Sequence, residues 1–280
     1  MEHTDTILVL GATGHVGRHV VAGLLETGAR VRAAVRRPDA AHLPAGVEVV
    51  HGDLTQPESL ERAASGAASI FLLWPTPDTS AATDALVALT RDTSHIVYLS
   101  ALDGPENHRP DGFWGDIEDL IRASGVHWTF IRAGGFATNV LGWADQIRTG
   151  VVRWPYGDAG RSLIHEQDIA DVAVEALMAG GHTGRSYPLT GPEVLTQIEQ
   201  VRIIGEELGR EVQWEEQPVE EARERLVASW GDPDFVEMAL AAWAAMVDAP
   251  EQVVGGPESI TGNPARTFRQ WARDHLHDFR

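Results

Sequence analysis

The sequence predicts an α/β fold, a doubly wound parallel sheet with helices on both faces, followed by a smaller, mostly helical C-terminal lobe. Three features carry this. Short apolar runs alternate with amphipathic stretches from Thr6 to Arg132. A glycine-rich turn follows the first of those runs directly. After Ala133 the alternation gives way to helical periodicity. Strands and helices alternating at this spacing require crossover connections, which lay parallel strands side by side and cover both faces of the sheet.

The elements follow in order. Thr6–Leu10 is an apolar run that ends on Gly11, as a buried parallel strand should. A helix is expected from about Arg18 to Glu26, with Val20, Val21, Leu24 and Leu25 on its apolar face and Gly28 as its stop. Strands at Arg30–Val35 and Val47–His51 come next, then a short helix at Pro57–Ala64. Ser69–Leu73 and His95–Ser100 are further strands, separated by a helical stretch over Ala81–Arg91. A helix over Asp111–Ser124 leads to a sixth strand at Trp128–Arg132. Beyond it, Gly134–Thr149 reads as loop and helix, Val151–Trp154 as a strand, and Asp168–Met178 as a helix capped by Asp168. Leu195–Leu208 is helical and Val212–Trp214 a strand. Helices at Pro218–Trp230, Asp234–Val247 and Thr267–His275 complete the chain, and most of the nine tryptophans lie in this half.

Composition removes several function classes. The 280 residues contain no cysteine, which excludes disulfides and thiol catalysis, and no metal site is expected. A formal net charge of −19 argues against a broad nucleic-acid surface, which needs a basic stripe. All 22 cationic side chains are arginine, so no mechanism can use a lysine ammonium. The N-terminus is polar, and no apolar run approaches the ~18 residues of a membrane span. A cytoplasmic protein acting on a small molecule is expected, with a homodimer left open.

The segment Gly11-Ala12-Thr13-Gly14-His15-Val16-Gly17 leaves a strand and enters a helix. In that setting the glycines serve a tight turn, the close approach of backbone N–H groups to a diphosphate, and close packing of helix on sheet. The helix N-terminus then presents unpaired N–H groups to the anion. This predicts a Rossmann-type dinucleotide-binding domain over residues 1–155, with Gly11, Thr13, Gly14, His15, Val16 and Gly17 at the cofactor. Residues 156–280 form the smaller substrate lobe, from which segments such as 160–190 return to the core. At the end of the second strand stands Val35-Arg36-Arg37-Pro38 in place of an acidic residue. Arg36 suits the 2′-phosphate of NADP(H), whose geometry matches a planar guanidinium; the alternative is a solvated arginine pair. Asp53, with Leu54 beside it, is positioned for an adenine ring, or else caps the next helix.

The glycine loop, the Val-Arg-Arg-Pro turn and the Gly52-Asp53-Leu54 step resemble the NmrA-like atypical short-chain dehydrogenase/reductases. Tyr98-Leu99-Ser100, Ser124-Gly125-Val126 to Arg132, Phe136 to Asn139, His165 to Ala170 and Thr261 to Phe268 extend the resemblance over most of the chain. That family includes NADPH-dependent quinone and dye reductases and regulators that bind the dinucleotide without turning it over. The resemblance implies that Leu73, Trp74, Ser100 and Ala101 line the nicotinamide half. It also implies that Gly134, Gly135 and Phe136, with Trp114 as an apolar wall, border the substrate cleft.

The departures from the family pattern concern proton supply. The tyrosine–lysine pair of classical members cannot be assembled without lysine. The lysine or histidine that many NmrA-like reductases keep ahead of a glutamate is absent: with Glu118 as that glutamate, the equivalent positions are Trp114 and Gly115. Ser100, His108 and Trp114 are the candidate catalytic residues, each with a plain structural alternative. Asp116 and His165 fit surface and packing roles better. Three functions stay open. The leading one is an NADPH-dependent oxidoreductase that passes hydride to a small, flat electrophile such as a quinone, activated alkene or aromatic. The others are an NADP(H)-sensing regulator and a non-redox biosynthetic enzyme that reuses the fold.

Overall fold

A computed structural model of the chain describes residues 5–104 and 107–280. It resolves into two compact units. The first holds residues up to Gly134 together with Glu166–Leu189 and Gly255–Pro264; the second holds Gly135–His165, Thr190–Val254 and Ala265–Arg280. The sequence predicts a boundary between 155 and 156, with segments such as 160–190 returning to the core. The chain passes between units after Gly134, His165, Leu189, Val254 and Pro264, and Glu166–Leu189 is a returning segment.

Six strands of the first unit lie where the apolar runs predict them: β1 Thr6–Leu10, β2 Arg30–Val35, β3 Glu48–His51, β4 Ala67–Leu73, β5 His95–Ala101 and β6 His127–Ala133. Two short strands, β7 Val151–Trp154 and β8 Gly160–Arg161, belong to the second unit, and β9, Arg185–Leu189, returns to the first. The seven-stranded sheet runs β3-β2-β1-β4-β5-β6-β9, every neighbour parallel. β9 was not legible as a strand because Arg185, Ser186 and Pro188 break its apolar character. A proline that cannot donate to the ladder is tolerated here because β9 is an edge, bonded only to β6.

Alternating residues of each strand pack on opposite faces. On one face Leu8, Leu10, Ile70, Leu72, Tyr98 and Phe130 join a core with Leu60 of α2 (Pro57–Ala64) and Leu86 of α3 (Ala82–Thr90). α1 (His15–Glu26) packs closely on α6 (Glu166–Met178): a Cβ added at Gly23 would come within 2.9 Å of Val174 Cγ2. α6 begins at Glu166, so Asp168 is a fully buried member of its first turn and not the cap expected from sequence.

In the second unit β11 (Gln213–Glu216) pairs in parallel with β7, and β10 (Leu195–Thr196) pairs antiparallel with β8. α7 (Gln197–Leu208) starts from a reciprocal cap in which Thr196 and Glu199 each bond the other's backbone. Its apolar face joins Trp143, Ile147, Val152, Phe268, Trp271 and Phe279 in a core. α8 (Val219–Trp230) and α9 (Pro233–Asp248) pack together through Leu226, Val236 and Leu240.

β9 is tied to the sheet by a polar relay as well as by its ladder. Thr129 Oγ1 donates to His182 O at 2.8 Å, so it accepts from His95 Nε2 at 2.9 Å, and His182 Nδ1 lies 2.8 Å from the Tyr187 hydroxyl. Burial, reinforced by the nearby His127 and His182, holds the His95 imidazole down at about 4 from an ordinary 6.5. The unfolded chain therefore takes up this proton first as pH drops. The stability contributed by neutral His95 is complete above 6.5 and is lost as pH falls toward 4, by at most about 3 kcal/mol. Replacing His95→Gln should flatten the slope of unfolding free energy against pH across that window, measured by urea denaturation at a series of pH values.

Candidate functional site

The order of the sheet reverses at β1, whose neighbours β2 and β4 lead to opposite edges, and a ligand crevice in such sheets lies beyond the carboxyl ends at that point. The glycine loop occupies it. Gly11 turns the chain at φ +74°, and Gly14 N–H donates to Gly11 O at 2.9 Å. A Cβ at Gly17 would stand 2.0 Å from Gly11 O and 2.6 Å from its carbonyl carbon, so only glycine lets α1 descend onto the turn. Gly14 caps α1 without any side-chain hydrogen bond, and the first turn carries no acidic residue. The first N–H groups of the helix are thus left for an outside acceptor. Gly11, Thr13, Gly14 and His15 are exposed, while Ala12, Val16 and Gly17 are buried under them. His15 Nδ1 lies 2.6 Å from Arg18 Nη2. The loop fits a diphosphate: an open cradle that a Cβ would fill, next to an uncapped helix start.

The register of β1 with β2 pairs Leu10 with Ala34, and that of β2 with β3 pairs Val35 with His51. Arg36 consequently leaves the sheet beside Gly11 and Gly52, and it is exposed, as is Arg37. Gly52 is required there, since its Cβ would lie 2.7 Å from Ala34 Cβ. Asp53 Oδ1 closes a local turn by accepting from Thr55 N–H at 2.9 Å and Thr55 Oγ1 at 2.8 Å. Those bonds, and more weakly the Arg36 and His51 charges, hold its carboxyl below the usual value. Leu54 packs, half-buried, against the core.

At the end of β4, Leu73 stands beside the loop, its Cβ 3.6 Å from where a Gly11 Cβ would be. Trp74 departs from the expectation that it lines the cofactor. It is 5% exposed, joins the core with Leu10 and Leu72, and donates its indole N–H to Asp78 O at 3.1 Å. The carboxyl ends of β5 and β6 are joined by an ionic cluster that the sequence did not reveal. Glu118, on α4 (Gly112–Ala123), is wholly buried; its Oε1 accepts from Ser100 Oγ at 2.7 Å and from Arg132 Nε at 2.9 Å. Its Oε2 accepts from Arg132 Nη2 at 2.7 Å and from Arg122 Nη2 at 3.0 Å. Arg132 Nη1 also donates to the Asn107 carbonyl. Ser100 thus directs its one hydrogen to Glu118. Ala101, the next residue, is half-buried.

The other candidates are dispersed. Trp114 is half-buried, its ring 4.0 Å from that of Phe113. His108 is exposed, and Asp116 is an exposed partner of Arg109 at 2.9 Å. Gly115 is glycine for a structural reason: its Cβ would meet Pro110 O at 2.1 Å. Gly134 N–H continues the β6–β9 ladder by donating to Leu189 O at 2.9 Å. In the second unit, Phe136 forms a bridge with Ile164, and Gly135 leaves room for Arg161, whose Nη2 would lie 2.2 Å from a Cβ there. His165 is a packed histidine, its Nε2 3.3 Å from Asp274 Oδ2. The second unit also holds a partly open cavity of about 550 Å³ walled by Trp143, Trp154, Trp230, Trp243, Arg161 and Arg225. Among the described residues no group of acidic or histidine side chains could hold a metal ion. Nor is any helix long and apolar enough to cross a membrane.

Comparison with known proteins agrees with this geometry. A family model described as NAD(P)H-binding matches residues 11–179. A (4-alkanoyl-5-oxo-2,5-dihydrofuran-3-yl)methyl phosphate reductase of Streptomyces griseus is 38% identical over 281 residues, covering 98% of this chain and 99% of the relative. The NAD(P)H azoreductase of Xenophilus azovorans is 34% identical over 284 residues, covering 98% and 99%. In fold, the chain is similar to the triphenylmethane reductase of Citrobacter sp. solved with NADP(H), at a TM-score of 0.79 and 23% identity, covering 96% and 99%.

The ionic cluster generates a stability prediction. Glu118→Ala leaves Arg132, 4% exposed, without its buried counter-charge, and should destabilise the chain by about 3–5 kcal/mol in urea denaturation. Glu118→Gln, which keeps an acceptor oxygen, should lose less.

Proposed function

The chain belongs to the NAD(P)H-binding oxidoreductases of the NmrA-like atypical short-chain dehydrogenase/reductase family, and from that premise we propose that it is an NADPH-dependent reductase of flat, electrophilic acceptors such as quinones, azo compounds and activated alkenes. The observation that carries the proposal is the exposed glycine loop at an uncapped helix start, with Arg36 leaving the adjacent strand beside it. Bound there, a reduced nicotinamide would supply a hydride, and an acceptor reduced this way would gain that hydride and one proton while the dinucleotide was oxidised.

The loop amides hold the diphosphate, and the Arg36 guanidinium, exposed and aligned with the loop, accounts for a preference for the 2′-phosphate. The Citrobacter reductase solved with NADP(H) supports the same choice. The groups at the strand ends support that acceptor class. Tyr98 has its hydroxyl buried without a hydrogen-bond partner among the described residues, and burial and then the Glu118 charge push its pKa up, which makes it a poor acid for a substrate. Ser100 donates to Glu118, and there is no lysine. A positioned general acid is worth about 10²–10⁴ in rate. An acceptor that forms a stabilised anion on hydride arrival can take its proton from water and forgo that factor; a simple ketone cannot. The azoreductase and the dihydrofuran phosphate reductase are relatives named for acceptors of the conjugated kind.

The test is incubation with NADPH and a panel of quinones, azo dyes and activated alkenes, following loss of nicotinamide absorbance. Turnover of one class or more supports the proposal; tight NADPH binding with no turnover across the panel favours the sensor instead. In the same assay Arg36→Ala should raise the KM for NADPH roughly 10-fold, the loss of one charge-assisted phosphate contact, and leave that for NADH unchanged.

A further inference from the structure

Several hydrogen-bond donors that line the cavity of the second unit have no acceptor among the described residues. Arg225, on α8, has its Nε and Nη2 buried with no hydrogen-bond partner. Its guanidinium lies 4.5 Å over the Trp154 ring, and Trp154 Nε1 is also buried and unpartnered. On the same wall Arg161 Nε has no hydrogen bond, with Glu251 Oε1 3.6 Å away as its counter-charge. Among the described residues no carboxylate pairs with Arg225; burial, and then the like charge of Arg153, lowers its pKa. Scarcity of acids does not explain this, since the chain carries 41 acidic residues against 22 arginines. The acids on the same helix face elsewhere, Glu221 to Arg153 at 2.7 Å and Glu220 to Arg223 at 3.1 Å, and Glu224 is exposed.

Around these donors the walls are flat and aromatic. Trp154 stands 5.9 Å from Trp143 and 5.6 Å from Trp243, and Trp230 lies 6.2 Å from Trp243. The volume, about 550 Å³, falls in the range of roughly 300–1,000 Å³ typical of small-molecule sites. A neutral ring alone would fill the aromatic part and leave the guanidinium and indole N–H groups without partners, which buried donors resist. An anion with several oxygens satisfies them together, and the planar fork of arginine matches sulfonate, phosphate and carboxylate.

We propose that this cavity binds a planar aromatic or conjugated acceptor through an anionic substituent seated on Arg225, with its rings against the tryptophans. The proposal rests on the reading of the chain as a reductase of flat acceptors and narrows it to anionic ones.

Calorimetric titration of the full chain, without NADPH, compares naphthalene sulfonate with neutral naphthalenemethanol. The sulfonate should bind roughly 10-fold tighter or better, the scale of one charge-assisted contact, and added sodium chloride should weaken the sulfonate alone. Arg225→Met should bring the sulfonate down to the affinity of the alcohol. Equal affinity for both probes in the unmodified chain overturns the proposal, and so does a sulfonate preference that survives in a folded Arg225→Met variant. The salt and probe comparisons need no variant, so a misfolded substitution does not blunt the test. NADPH oxidation with anthraquinone sulfonate and menadione separates the two readings. Turnover without a sulfonate preference in binding keeps the reductase and removes this site. A sulfonate preference in binding with neither quinone reduced keeps the site and removes the reductase.

Discussion

The contact of a helix with the turn that precedes it governs the first unit. Gly17 brings α1 to within 2.0 Å, Cβ position to carbonyl oxygen, of Gly11, a distance that no other residue could occupy. Because the helix comes down so far, its first amides lie where β1 ends and the sheet changes direction. The remainder of the crevice is arranged around that point: Leu73 beside Gly11, and Arg36 one step beyond a strand whose register is set by β1. A bulkier residue at position 17 would tilt the helix away from the turn. Amides, sheet and arginine would then no longer address one ligand.

The opposite arm of the crevice is organised by charge. Glu118 sits fully buried among Ser100, Arg132 and Arg122, and joins the ends of β5 and β6 to α4. Burying such ions is costly unless every lone pair is met, and here both carboxylate oxygens accept two bonds each. The arrangement ties the ends of the two strands to the helix and engages the Ser100 hydroxyl. Ser100 Oγ is thereby part of the scaffold's own bonding, as a donor to Glu118.

Features that depend on local chemistry were legible in the sequence, and features that depend on distant partners were not. β1 to β6 could be read because each is an apolar run closed by a turn. The glycine loop could be read because turn, close approach and helix start are all demanded within seven consecutive residues, Gly11 to Gly17. α1 begins at His15, earlier than its apolar face suggests, because the loop itself supplies the first turn. β9 is defined by its place at the edge of β6, and its own composition conceals it. Ser100 and Arg132 meet Glu118 across 18 and 14 positions, so no pattern in either segment announces the cluster. Trp74 follows a strand as a cofactor-facing residue would, yet its indole finds Asp78 O and stays in the core. That Arg225 lacks an acceptor is a fact about three-dimensional surroundings alone.

Trp214 and Trp143 stand 5.8 Å apart, and Trp143 continues through Trp154 and Trp243 to Trp230 at similar separations. Indoles this close and mutually inclined exchange excitation energy and couple their near-ultraviolet transitions. These five indoles all belong to the second unit, so it holds the coupled part of the tryptophan spectrum. Four of them, Trp143, Trp154, Trp230 and Trp243, also wall the cavity, so the protein carries its own optical reporters at that place, with no label attached.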